Sequence, residues 1–197
     1  MRGGDAGEIL QRRRGRGKAA RESCERALQA ARSAGDRRAE GMALHNLALL
    51  EQDSGDPAEA RRLYEEALPL RRAAGDIRGA AETLNNLGII AETGEQLGEA
   101  VEHFREAVAA YLQLQDIQGI AVSLCNLGEA LGMQREAAEA ARLLQPAARA
   151  LEELGSVHSE VARQMCEAAC GAAGIVPEPS PLPWRRALLE AAKTANA

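Results

Sequence analysis

Three asparagines, Asn46, Asn86 and Asn126, stand forty residues apart, each followed by Leu and then a small residue: Asn46-Leu47-Ala48, Asn86-Leu87-Gly88, Asn126-Leu127-Gly128. A carboxamide both donates and accepts hydrogen bonds, so a row of them can hold the peptide groups of an extended chain without reading its side chains. Other chemistry is thinly represented. Cys24, Cys125, Cys166 and Cys170 fit no zinc spacing and no small disulfide framework, and read as reduced, mostly buried thiols. Cys166 and Cys170, at i and i+4, have no histidine or third cysteine near them in sequence. His45, His103 and His158 stand apart, so no base is paired with a nucleophile. Gly17-Lys18 lacks the first glycine, the Ser/Thr and the preceding strand of a phosphate loop. The sequence offers no catalytic residues, no cofactor-binding residues and no metal ligands, and an enzyme is not expected.

What positions the asparagines is a set of helices. The hydrophobic fraction is 46% but aromatics are only 2%, so the core must be built from Ala and Leu, which favours closely packed helices over strands. On a forty-residue ruler Leu44/Leu84/Leu124, Leu47/Leu87/Leu127 and Ala48/Gly88/Gly128 fall into register in one segment. Ala20/Ala60/Ala100/Ala140, Cys24/Tyr64/Phe104/Leu144 and Ala27/Ala67/Ala107/Ala147 do so in the next. Leu44, Leu47, Ala48 and Glu51 fall at i, i+3, i+4 and i+7, and Ala60, Tyr64 and Ala67 share one face, so each repeat is two amphipathic helices. The asparagines point off the core face. Their own face holds Met42, His45, Asn46 and Leu49, then Glu82, Asn85, Asn86 and Ile89, then Val122, Cys125, Asn126 and Glu129. These twelve are the candidate peptide-binding residues. The alternative is that each Asn ties one helix to its neighbour.

Helix breaks recur with the same period. Gly35-Asp36, Gly75-Asp76, Gln115-Asp116 and Gly155-Ser156 each place a helix-ending residue before an N-cap type, and Gly55-Asp56-Pro57 with Glu59 reads as a turn, a cap and a helix start. Full repeats are predicted over residues 36–75, 76–115 and 116–155. A degenerate first helix over 1–13 carries Gly3, Gly4 and Gly7 where core residues belong, so Arg14 to Lys18 is read as an inter-helix turn. A capping helix follows over 156–170, with one residue inserted so that Met165 and Ala168 reach the leucine columns. The array spans 1–174; residues 175–197 are a Pro-rich linker and an amphipathic helix with Trp184, Leu188 and Ala191 on one side. That helix is expected to dock on the last repeat or on a neighbouring chain.

Net charge is −5, yet residues 1–40 hold eleven Arg/Lys against six Asp/Glu, leaving thirteen against twenty-three in the remainder. An acidic body argues against nucleic acid as partner, since phosphate binding needs a basic face. No apolar run reaches the roughly twenty residues of a membrane span, and the first residues lack a secretory signal's apolar core. No membrane association is expected, and the cytoplasm is the default location.

Leu84-x-x-Leu87-Gly88 followed by Ala100-x-x-x-Phe104-x-x-Ala107 resembles the tetratricopeptide repeat signature, with Leu for the leading Trp, over about residues 15–170. The period is forty rather than thirty-four, Ala91 and Glu51 replace an aromatic, and no proline closes the repeat. This resembles the subclass found in kinesin light chains, spindle-orientation scaffolds and the sensor regions of bacterial regulators. The resemblance implies an all-α, right-handed α-solenoid of helix-turn-helix repeats that binds a peptide or protein segment in its concave groove as a scaffold or adaptor. It also leaves open the sensor or autoinhibitory segment of a larger bacterial signalling or transcription regulator. Homo-oligomers through exposed array ends or the C-terminal helix are a further expectation.

Overall fold

Wherever one repeat helix gives way to the next, the backbone makes the same turn. A residue in the left-handed region donates its N–H three residues back, and the following N–H reaches five back, which is the Schellman motif. At Gly55 (φ 85°) the bonds are Gly55 N–H to the Gln52 carbonyl, 3.1 Å, and Asp56 N–H to the Glu51 carbonyl, 2.9 Å. At Gln115 (φ 54°) they are Gln115 to Leu112, 3.1 Å, and Asp116 to Tyr111, 3.0 Å. Glu95, Gln115 and Arg135 hold this conformation without being glycine. The next helix is then capped: Asp36, Asp56 and Asp116 accept through Oδ1 from the amides of Ala39, Glu59 and Gly119 at 3.0, 3.0 and 3.1 Å. Three donors left free at helix starts are satisfied this way.

The computed structural model describes residues 5–176 and 183–196, with side chains from residue 17 onward; most of the proline-rich spacer, residues 177–182, lies outside them. Among the described residues all regular structure is helical. Two compact units divide the chain, residues 1–76 and 77–197.

The first unit contains α1 (Asp5–Ala34), α2 (Arg37–Ser54) and α3 (Pro57–Ala73). Helices α2 and α3 form a hairpin whose interior is Leu44, Leu47 and Ala48 against Ala60, Tyr64 and Ala67. The buried Tyr64 ring turns its hydroxyl to donate to Gln52 Oε1 at 3.2 Å. Helix α1 lies on α2, held by the Arg21–Glu51 ion pair and by Arg32, which reaches both Glu40 and Glu66. The turn read over Arg14 to Lys18 is absent: α1 runs unbroken from Asp5 to Ala34. A hairpin there would need an apolar face over residues 1–13 to return onto. With glycines in place of leucines there is none, and the Arg-rich sequence continues its helix instead.

In the second unit α4 (Ile77–Thr93) pairs with α5 (Leu97–Leu114), and α6 (Ile117–Met133) pairs with α7 (Ala137–Glu153). Helix α8 (Ser159–Ala173) lies against α7 and α6, and α9 (Trp184–Thr194) against α7, α5 and α6. Close approach sets both hairpins. A Cβ added to Gly88 would come 2.4 Å from the Phe104 ring, and one on Gly128 2.6 Å from Leu144 Cγ. The small member of each column is therefore what lets the large one lie flat against the backbone. Helix α9 docks within its own unit through Leu188, Ala191, Ala192 and Ala195, with Trp184 half-buried and the Arg185 guanidinium 5.2 Å from its ring centroid.

Because a left-handed conformation strains any residue with a Cβ, Gln115→Gly is expected to stabilise the protein by up to about 1 kcal/mol. The gain is reduced by glycine's greater freedom in the unfolded chain. Thermal melting should show a small rise, and a lowered midpoint would contradict a strained left-handed residue at this turn.

Candidate functional site

The repeated triplet places its three residues on different sides of a helix. In α4, Gly88 faces Phe104 and Leu87 fills the hairpin, which carries Asn86 outward; in α6, Gly128, Leu127 and Asn126 do the same against Leu144. Asn86 and Asn126 are half-buried and Asn46 on α2 is exposed. None of the three makes a side-chain hydrogen bond among the described residues, and none of their amide atoms is enclosed without a partner. Their carboxamides have no partner among the described residues.

The tie between helices is made one residue earlier. Asn85 Nδ2 donates to Ser123 Oγ at 2.9 Å, joining α4 to α6, and the Asn85 side chain also lies beside the Tyr111 hydroxyl. Tyr111 itself rests on the α6 backbone, where a Cβ at Gly119 would meet its ring at 2.3 Å. Asn85 is thus structural, and Ser123, fully buried, is the partner that sequence reasoning missed.

Two of the twelve candidates are withdrawn from any surface. His45 is 6% exposed, stacked edge-on to Tyr64 at 5.2 Å, and burial together with the Arg71 charge lowers its pKa to about 4, so it stays neutral. Cys125 is also 6% exposed, and burial pushes its thiol up to about 12. Both lie next to an Asn in sequence, a helical step of about 100° that is enough to turn them inward. Cys166 and Cys170 lie on α8 with their sulfurs 4.0 Å apart, Gln145 Nε2 3.4 Å from Cys170 Sγ, and burial raises the Cys166 thiol to about 12. These are inert core thiols, and no group of metal-ligating side chains occurs among the described residues.

In the first unit the outward face of α2 is apolar around Asn46, with Met42 48% and Leu49 39% exposed. In the second unit the face formed by α4 and α6 is acidic. Glu82 and Glu129 are exposed, Ile89 and Val122 are half-buried, and α6 carries no Lys or Arg. The one cation on α4, Arg78, is held by Asp116, the cap of α6. Glu92, one turn beyond Ile89, was also missed. It is half-buried, its Oε1 is enclosed without a partner, and burial together with the Glu129 charge raises its pKa to about 7. Its place on the same face, three residues after Ile89, was the available signal. On α8 the one-residue insertion puts Glu167 in the asparagine column, where Arg163 binds it at 2.7 Å, so in this unit the amide row consists of Asn86 and Asn126.

The chain matches the tetratricopeptide repeat family over residues 4–73 and 42–113. No curated protein sequence matches it. Among solved structures, BtubC (BKLC) from P. vanneervenii is similar with a TM-score of 0.75 and 21% identity, covering 95% of this chain and 76% of that one. The nearly identical TPR-like repeats of a Podosopora anserina kinesin light chain candidate give a TM-score of 0.66 at 18% identity, covering 95% and 92%. At these identities the likeness establishes the fold, the tetratricopeptide-type α-solenoid. No helix among the described residues is long and apolar enough to cross a membrane.

Alanine substitutions separate amides that tie helices from amides that do not. Asn86→Ala and Asn126→Ala are expected to leave the melting temperature unchanged or slightly raised, since Ala gains up to about 0.7 kcal/mol in helix propensity. Asn85→Ala should cost about 0.5 to 1.5 kcal/mol by deleting the bond to Ser123. A loss at Asn86 or Asn126 as large as that at Asn85 would make those amides structural as well.

Proposed function

The chain belongs to the tetratricopeptide repeat family, and from that premise we propose that it is a scaffold or adaptor whose α4–α6 face holds an extended, basic segment of a partner protein. Repeats of this family mediate protein–protein interaction. The observation that carries the finer reading is that Asn86 and Asn126 recur in register with carboxamides that no other described residue engages, on packed first helices. Helices side by side lie ~10 Å apart and an extended chain advances ~3.3 Å per residue, so the two amides meet main-chain groups roughly three residues apart. Ile89 and Val122 give the face an apolar floor. Glu82, Glu92 and Glu129 favour Lys or Arg in the bound segment, and the enclosed Glu92 oxygen gains a donor when such a residue arrives. On α2, Met42, Asn46 and Leu49 offer a more apolar surface with its own amide. Binding of this kind is non-catalytic and uses no cofactor.

Selection from a library of unstructured peptides tests the reading. Basic peptides should be enriched, and Asn86→Ala should weaken them by ~1 to 3 kcal/mol as a desolvated ligand amide loses its partner. Peptides whose affinity survives both Asn86→Ala and Asn126→Ala would remove the amides from recognition.

Acidity supplies a second test. The ionised form of Glu92 pairs with a cation, and in the free protein that form dominates only above about pH 7. Affinity for a Lys- or Arg-bearing peptide is therefore expected to be higher at pH 8 than at pH 5, and Glu92→Gln should flatten the dependence between them. A profile identical in the variant would exclude Glu92 from the contact.

A further inference from the structure

Two helices of this chain are halves of hairpins, and the halves are opposite. Helix α1 follows the columns of a repeat's second helix, with Ala20, Cys24 and Ala27 in register with Ala60, Tyr64 and Ala67. In the complete hairpin those three are fully buried, whereas Ala20 and Ala27 are exposed and Cys24 is half-exposed. The α1 residues that are covered, Ala31 above all, belong to a different column. Helix α8 follows a repeat's first helix. With the one-residue insertion, Val161, Met165, Ala168 and Ala172 correspond to Ile120, Leu124, Leu127 and Leu131 of α6, which are at most 1% exposed. On α8, Val161 is 57% exposed, Met165 is half-buried, and Ala168 and Ala172 are exposed; outside the helix, Val157 and Val176 are 88% and 79% exposed. Helix α9 does not close this face, because it docks on α7, α5 and α6.

We infer that the chain associates head to tail, the uncovered face of α8 in one copy packing on the uncovered face of α1 in another to complete a first-helix/second-helix pair. The columns of the fold define what each face accepts: a first helix buries its aliphatic column against the small residues of a second helix. Charge agrees in sign. Residues 17–34 of α1 hold four Lys/Arg against two Glu, while residues 152–167 hold four glutamates against one arginine. Such opposite fields favour the unlike pairing over α8 on α8 or α1 on α1, where like charges meet. Among the described residues, the uncovered columns of both helices are made of Ala, Cys, Val and Met rather than polar residues. The contact joins two different surfaces, so it does not saturate through a single twofold axis.

Sedimentation of the full chain over a range of concentrations is the test. The wild-type mass should rise above the single-chain value of 20.9 kDa with concentration and fall back in high salt. Val161→Glu and Ala27→Glu each put a carboxylate on one face at an exposed site, and circular dichroism verifies that both remain helical. Each variant alone should sediment as a single chain. Mixed in equal amounts they should form a pair at about twice that mass, since one retains a competent α8 and the other a competent α1. A wild-type chain that stays single at all concentrations, self-association that survives either substitution alone, or variants that fail to pair on mixing would each overturn the proposal.

Discussion

The close approach of first and second helices is the constraint from which the rest follows. Where Gly88 meets the Phe104 ring there is no room for even one carbon, and Gly128 under Leu144 is nearly as tight. Such contacts fix each helix in rotation as well as in distance, because turning α4 by one residue would bring Leu87 onto the ring. Asn86, two residues and about 200° from Gly88, is thereby held outward with no interaction of its own. The outward amide is a consequence of the inward glycine, and the two recur together because one backbone position determines both.

Polar ties then set one helix pair on the next. Asp116 caps α6 and binds Arg78 of α4, while Asn85 reaches Ser123 a little further along the same helices. The first of these links engages Arg78, the one cation of α4, so that cation is already held by Asp116 rather than left for a ligand. Recognition and assembly are therefore not separate on α4: the residues that join it to α6 also decide which charges remain for a ligand.

Periodicity made the helices, their pairing and the size classes of the core legible in the sequence, because each column repeats a physical requirement three times. What repeats less often was harder to read. His45 and Cys125 sit one residue from an Asn, and a helical wheel drawn without knowing how wide the buried arc is leaves such borderline positions undecided. Asn85 and Ser123 form a tie between repeats, a contact that a column within a single repeat does not encode. Glu92 occupies a column whose other members are Gln52 and Gly132, so only its place on the face beside Ile89, and not its column, marked it; its raised pKa comes from enclosure and from Glu129. The unbroken α1 shows the converse, since a turn expected from periodicity forms only where the returning segment has something to bury.

Within the second unit, α4 to α8 each pack on the helices next to them in sequence. Helix α9 instead reaches back to α5, α6 and α7. Local hairpins form quickly, because closing a short loop loses little chain entropy, whereas a distant partner must wait until its surface exists. An eleven-residue helix has little stability alone, so α9 can become ordered only after α5 to α7 have assembled. It is then the last segment gained in folding and the first released on partial opening, when Leu188 and Ala192 enter water while the hairpins beneath stay closed.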